Sequence, residues 1–468
     1  MKRPDLSKPN VLVPAALAMV ALGALLFWLG RGPDKSLALR VPGTDRGPDS
    51  ELGTNANAVL AGKLLPGEGQ PATLPGAWPQ FRGAARDGLS PETGLSHAWQ
   101  TAEPKELWAV DVGEGYAGPV ILNGRVYLMD YDREKKQDAL RCFSLADGRE
   151  IWRYAYPVAV KRNHGMSRTV PAVTDKLVVA MGPKCHVLCL DAVSGELRWG
   201  LDLVREFGAT VPPWYAGQCP LIEEGKVILA PGGKQALLVA VDAQTGKVLW
   251  QTPNPRGWKM THSSIMPIEF SGERMYVYCA DKGVVGVSAK TGAILWETAD
   301  WKISIANVPS PLVLDGGRLF CSGGYNAGSA MLELKKEGDR FAVQTAFKLA
   351  PEIFGATQHS PALYDNHIYG VRPDGRFACL SLDGKTVWAS DASQQFGLGP
   401  FLLADGIIFA MNDSGLLRLI EATPEKYKLL GQAQVLKGRE SWGPLALAGG
   451  RLLARDFTRL ICLDVARH

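Results

Sequence analysis

LDAVSGELRW, Leu190 to Trp199, is one copy of a phrase that returns as LADGREIW (Leu145 to Trp152), VDAQTGKVLW (Val241 to Trp250), SAKTGAILW (Ser288 to Trp296) and SLDGKTVW (Ser381 to Trp388). Each copy reads as the end of an apolar strand, a tight turn containing Gly, and a second strand closing on Trp. Gly suits the turn because one position there is most easily reached with φ > 0, while the flanking Val, Ile and Leu suit a pleated surface. Successive Trp residues lie 47 (152 to 199), 51 (199 to 250) and 46 (250 to 296) positions apart, and the step from 296 to 388 is 92, or two periods. The spacing predicts a repeat array with one degenerate unit in the long gap.

Working outward from the phrase, every unit follows one plan: a Pro-containing lead-in, an apolar strand, a turn such as NGR or DGG, a second apolar strand, then the phrase. The lead-ins are Gly118-Pro119, Val170-Pro171, Cys219-Pro220, Met266-Pro267, Ser310-Pro311, Ser360-Pro361, Gly399-Pro400 and Gly443-Pro444, eight in all. The fifth unit, AMLELKKEGDRFAVQTAF, has lost its Trp, and the seventh, LLRLIEATPEKYKLLGQA, is similarly eroded. The eighth stops at ICLDV, Ile461 to Val465, without a closing Trp strand. An orphan strand of the missing kind stands near the other end: KELWAVDV, with Trp108 placed 44 positions before Trp152. A ring closed by its first and last strands leaves no open sheet edge between them, so the expected architecture is all-β, an eight-bladed β-propeller of four-stranded blades whose last blade is completed from the N-terminus. A right-handed β-solenoid is the alternative, but it would need capping units, whereas these termini complement each other. Trp108, Trp152, Trp199, Trp250, Trp296 and Trp388 are expected to be structural, packing between neighbouring blades.

Composition narrows the function classes. In 468 residues, 51 Lys and Arg against 47 Asp and Glu give a net charge of only +4, and no basic run stands out, which argues against nucleic acid as a partner. Cys142, Cys189, Cys379 and Cys462 fall at one repeat position and read as small buried hydrophobes. Cys279 and Cys321 share another strand position and receive the same reading. No CxxC or CxxCH occurs, so a zinc knuckle, an iron–sulfur cluster or a covalent haem has no support.

The first residues are of a different kind. Met1 to Asn10 carries Lys2, Arg3 and Lys8, after which Val11 to Leu29 runs without a charge. That run at 1.5 Å per residue covers about 28 Å, close to the hydrocarbon thickness of a bilayer. It predicts a single-pass anchor over 11–29 with 1–10 in the cytoplasm and the remainder outside, which places a bacterial protein in the inner membrane with its propeller in the periplasm. A cleaved signal peptide is the competing reading; the run is longer than a usual h-region, and GRGPDK follows it in place of a small-x-small site. Residues 30–77, rich in Gly and Pro, are expected to be a flexible tether. The folded body, 78–468, then begins with WPQFRGAARDGLSPETGL, an irregular segment pinned against it.

The DAxTGxxxW repeats resemble those of the PQQ-type quinoprotein β-propellers, and in particular the membrane-associated PQQ-like repeat proteins that include BamB-type assembly lipoproteins. The leader WPQFRGxxRDGLSPETGL is similar to that of planctomycete-like relatives. The resemblance implies the fold from Trp78 to Val465, and it implies either of two functions. Quinoprotein alcohol dehydrogenases hold PQQ near the propeller axis on a Trp platform against a disulfide of adjacent Cys residues, with calcium bound by Glu, Asn and Asp. This chain has no adjacent Cys pair, and the lead-ins show no acidic residue where calcium ligands would be expected. It also lacks the lipid-acceptor Cys of the assembly lipoproteins.

A site, if present, is expected on the lead-in segments, which reach one rim of the channel. They supply Tyr116, His164, Arg168, Tyr215, Gln218, His262, Asn307, His359 and Trp442. Converging from different blades, these would line a concave polar site at the channel mouth. Three His residues suggest a metal only weakly, since their spacing forms no chelating motif; His262 and His359 are the candidates for a proton acceptor. Arg168 among aromatics would suit an anionic or planar ligand. The leading functional expectation is a non-catalytic, membrane-anchored scaffold that binds a protein partner or envelope complex without a cofactor. The alternatives are a redox dehydrogenase using PQQ with calcium, and a small-molecule or polysaccharide binder.

Overall fold

The computed structural model describes residues 9–30, 57–99 and 103–467. The chain divides into two units, Met1–Pro48 and Asp49–His468. The described part of the first is the helix Pro9–Gly30, 22 residues long. Its side chains are described at Val13 and over 16–27, all of them exposed, and that stretch falls short of the roughly 20 residues of a span. Among the described residues no helix is long and apolar enough to cross a membrane.

The second unit is built from eight antiparallel sheets. Blade 1 comprises Val120–Leu122, Arg125–Asp132, Gln137–Ser144 and Glu150–Pro157 from the axis outward. Blades 2 to 7 repeat the plan over residues 172–202, 221–251, 266–298, 312–349, 362–389 and 401–434. Blade 8 takes three strands from residues 446–464 and its outer strand, Lys105–Asp111, from the leader, so the ring closes as expected.

The repeat phrase earns its composition at the blade junctions. In the turn DAVSG the Asp191 Oδ1 atom accepts from the backbone N–H groups of Val193 and Ser194, and Gly195 sits at φ 78°. This glycine lies against the indole of Trp152 from the preceding blade, where a Cβ would come within 2.6 Å of the ring. The indole N–H then donates to the Val193 carbonyl at 3.0 Å. Trp108, Trp199, Trp250 and Trp388 make the same bond to Leu145, Ala243, Ala289 and Thr423. Cys142, Cys189, Cys379 and Cys462 each pair across the sheet with a repeat Trp, which explains why a small side chain recurs there.

The two eroded units fill the Trp slot differently. In blade 5, Phe347 takes the register position opposite Met331 and packs on Gly384 of blade 6. In blade 7 the slot holds Gly431, opposite Leu419, and Trp99 from the leader packs over it. The missing aromatic is thus restored from a distant part of the chain.

Backbone bonds around the channel correct one lead-in. Val170 N–H meets Cys219 Sγ at 3.3 Å, Cys219 N–H meets Ser264 Oγ at 3.1 Å, Ser264 N–H meets Ser310 Oγ at 2.9 Å, and Ser310 N–H meets Ser360 Oγ at 2.8 Å. Ser264-Ile265 is therefore the lead-in of blade 4, and Pro267, expected there, lies inside the strand Met266–Phe270. On the other side of the ring the equivalent positions are Gly118, Gly399 and Gly443; a Cβ on Gly118 would press on Pro444 at 2.8 Å.

The leader is more than an appendage. Trp78 bridges to Ile121 of blade 1, the Pro79 carbonyl accepts from Val173 of blade 2, and Leu89–Ser90 adds a parallel strand to the inner edge of blade 7. Arg86, buried at 1% exposure, donates to the Pro220 and Cys219 carbonyls of blade 3, while Arg82 reaches the Pro361 carbonyl of blade 6. Glu92 accepts from Gly450 of blade 8. Residues 78–92 therefore plug the channel at the rim of the repeat turns and join six blades from within. The body also begins earlier than Trp78. Lys63–Pro66, inside the expected tether, pairs antiparallel with the outer strand of blade 1, and Tyr154 Oη donates to the Val59 carbonyl at 2.8 Å.

Candidate functional site

With one mouth plugged, the lead-in rim is the accessible end of the channel. Its centre is Tyr116, carried by the segment that enters blade 1 and fixed by its N–H bond to the Ser167 carbonyl at 2.7 Å. The ring stacks on Trp442 at 5.2 Å and tilts against Phe457 at 5.6 Å. The Arg168 guanidinium lies over the same ring at 5.0 Å, a cation–π geometry. Tyr116 Oη donates to Glu440, and burial together with that bond pushes the phenol well above its ordinary pKa. Burial lowers Arg168 to about 10, against the opposing pull of Tyr116 and Glu440, so it remains charged at neutral pH. Trp442 in turn donates to Asp413 at 2.7 Å.

Beside this cluster a cleft of about 360 Å³ is lined by Arg162, Asn163, His164, Arg439, Glu440 and Phe457. Arg162 is held by Glu114 at 2.6 Å, and His164 is exposed with φ 54°. Sequence reading found His164 but missed Glu440, Arg439 and Phe457. The first two stand two and three positions before Trp442 in KGRESWGP and were within reach of the same argument; Glu440 and Glu114 also correct the expectation that the lead-ins hold no acidic residue. Phe457 comes from a hairpin between strands and carries no sequence signal.

The other expected residues divide in two. Tyr215 is buried, with its hydroxyl on the Lys161 carbonyl, and lies next to His262, whose ring tilts on Trp214 at 6.4 Å. Gln218 is spent on structure, with both ends of its amide on the Ala230 backbone, at 3.1 and 2.8 Å. Asn307 is likewise used, donating to the Cys279 and Ala280 carbonyls. His359 belongs to another sector of the rim, against Phe401 and near Asp413.

The three histidines thus do not gather at one point, and among the described residues no group of three His, Cys, Asp or Glu side chains is placed to hold a metal. Burial, reinforced by the Arg168 charge, lowers His262 to about 3, and burial lowers His359 to about 4. Both are neutral at pH 7, yet their conjugate acids are too unstable there for effective general-base work. The geometry offers instead a rigid aromatic and arginine shelf beside a charged cleft, the side-chain types that dominate binding hot spots.

Fold and rim together define a PQQ-like repeat β-propeller. The family described as outer membrane protein assembly factor BamB matches residues 89–182 and 135–390, and the chain belongs to it. No curated protein matches the chain in sequence. Among solved structures, BamB from Moraxella catarrhalis is 14% identical and aligns over 77% of this chain and 100% of its own with a TM-score of 0.53. A europium-containing methanol dehydrogenase is 13% identical over 81% of this chain and 89% of its own, with a TM-score of 0.58. The computationally designed Ika8 protein is 11% identical over 77% and 100%, with a TM-score of 0.54. At these identities the likeness is one of fold.

Proposed function

We propose that the chain is a membrane-anchored, extracytoplasmic propeller that docks a protein partner on its lead-in rim, as a scaffold or subunit of an envelope complex. The observation that carries this reading is the shelf of Tyr116, Trp442, Phe457 and Arg168 beside the cleft, on the rim opposite the plug. Rigid aromatics and arginine contribute contact area at low entropic cost, and Glu440 and Arg439 give the cleft both signs of charge for orientation. Family membership supports the same reading, and the apolar run over 11–29 after a basic N-terminus supports the anchor and the periplasmic placement.

The planar shelf also favours a second reading, a ligand such as PQQ. The described residues provide no group of three metal-binding side chains and no adjacent Cys pair, so they do not fit the calcium-dependent form of that site, and no reaction step is derived through it.

Capture of partners from a mild-detergent extract tests the proposal. Trp442→Ala and Arg439→Glu are expected to lose a protein that the unaltered chain retains, with little change in melting temperature; undiminished capture by both variants refutes docking at this rim. Stoichiometric binding of PQQ with calcium in ultraviolet-visible titration, with dye reduction by an alcohol or sugar, would establish the dehydrogenase reading in its place.

A further inference from the structure

The junction between blades 4 and 5 departs from the repeat. Trp296 closes blade 4, yet its indole N–H has no acceptor, because blade 5 replaces the signature turn by the long hairpin Gly328–Glu337 and Arg340–Leu349. Two cysteines occupy the same junction. Cys279 lies on Glu273–Ala280 opposite Val284, and Cys321 on Arg318–Gly323 opposite Ala330. Alternation along the strand sends Met275, Val277 and Cys279 to one face and Tyr276 and Tyr278 to the other; Leu319 and Cys321 alternate with Phe320 in the same way. Packing follows that alternation. Cys279 and Cys321 share one buried cluster between the two blades, whereas Tyr276 and Tyr278 pack toward blade 3 and Phe320 toward blade 6. Asn307, from the blade 5 lead-in, ties the blades at this level through its bond to the Cys279 carbonyl at 3.4 Å. Within the cluster the Cys279 thiol is the group that, together with burial, raises the Cys321 thiol above its ordinary pKa. Elsewhere thiols meet other groups: Cys189 the Ala243 carbonyl, Cys219 the Gly217 carbonyl and Cys185 the Met260 sulfur.

We propose that Cys279 and Cys321 are a disulfide-forming pair that joins blade 4 to blade 5 when the chain folds against a disulfide donor. The two thiols give up two protons and two electrons as the S–S bond forms, and the donor, oxidised glutathione or the active-site disulfide of a thiol oxidase, is reduced to two thiols. Both side chains are buried in the finished propeller, so the exchange occurs while the two blades are still apart. Only its occurrence in the cell rests on the extracytoplasmic reading; the pairing rests on register and packing.

The test is a refolding of the purified full chain in a glutathione redox buffer, followed by N-ethylmaleimide blocking under denaturing conditions and peptide mapping. Of the eight cysteines, six are expected to be blocked, with one linked peptide pair carrying Cys279 and Cys321. Dithiothreitol is expected to lower the melting temperature by several degrees in the unaltered chain and to leave C279A/C321A unchanged. Eight blocked cysteines, or a link between any other pair, overturns the proposal. So does a linked pair that persists in the single variant Cys321→Ala. Eight blocked cysteines in protein taken from cells, together with a linked pair after refolding, would refute the extracytoplasmic reading and uphold the pairing.

Discussion

The indole N–H of Trp199 donates to the Ala243 carbonyl of the next blade at 2.9 Å, and the ring lies flat against Gly246 of the same turn. Each part of this contact requires a particular residue: a large aromatic with a donor on one side, and a residue without a Cβ on the other. Repetition of the contact around the ring is what the repeat phrase encodes.

Trp199→Phe removes the indole donor and leaves the buried Ala243 carbonyl with only the weak Cys189 thiol donor at 3.7 Å, and is expected to cost about 1–2 kcal/mol in urea denaturation. Trp296→Phe removes a donor that has no acceptor, so its cost is expected to be clearly smaller. Equal losses in the two variants would count against the indole bond as a stabilising element.

Gly246→Ala combines φ 70° with a Cβ only 2.8 Å from the Trp199 ring. Gly272→Ala has a similar φ of 79° in open space. The second is expected to cost about 1 kcal/mol through backbone strain alone, and the first about 1–3 kcal/mol more because the indole must also move. Denaturation midpoints of the two variants compare strain with strain plus contact.

Arg86→Ala removes the side chain that ties the plug to blade 3. It leaves the Pro220 carbonyl without its donor at 3.1 Å and opens a void, with an expected loss of about 2–4 kcal/mol. Limited proteolysis should then cut within 78–92 before the blades, and a plug as resistant as in the unaltered chain would show that Arg86 does not hold it.

Stability should pass through a maximum with pH. Burial raises Asp138 to about 8, against the opposing effect of the Tyr156 hydroxyl that donates to it. The unfolded carboxyl ionises near 3.8, so this contribution is full below that pH and is lost as pH rises toward 8. His262 and His359 act in the opposite sense: their lowered values of about 3 and about 4 give stability that is present above 6.5 and lost as pH falls through those values. Each group contributes a slope of about 1.4 kcal/mol per pH unit within its window. From these groups together, stability rises toward pH 6.5 and declines between 6.5 and 8; Asp138→Asn, followed by denaturant titration, should flatten the decline. An unchanged decline would mean that Asp138 is ionised in the native state.

The ring of eight blades, its closure through Trp108 and the burial of the repeat cysteines were legible in sequence because each depends on a local period that the chain restates every 44 to 51 residues. Candidate rim residues were legible for the same reason, as the polar residues left over at one phase of the period. The three-dimensional structure alone decided what has no period. Trp99 fills the slot above Gly431 and Arg86 reaches the carbonyls of blade 3, contacts between residues far apart in the chain that depend on how the leader threads the closed ring. It also decided which rim residues share a site, because that depends on the direction of each side chain about the axis. Arg168 and Trp442 meet on the ring of Tyr116, whose hydroxyl bonds Glu440, while Gln218 and Asn307 turn inward to satisfy backbone groups that would otherwise be buried without partners.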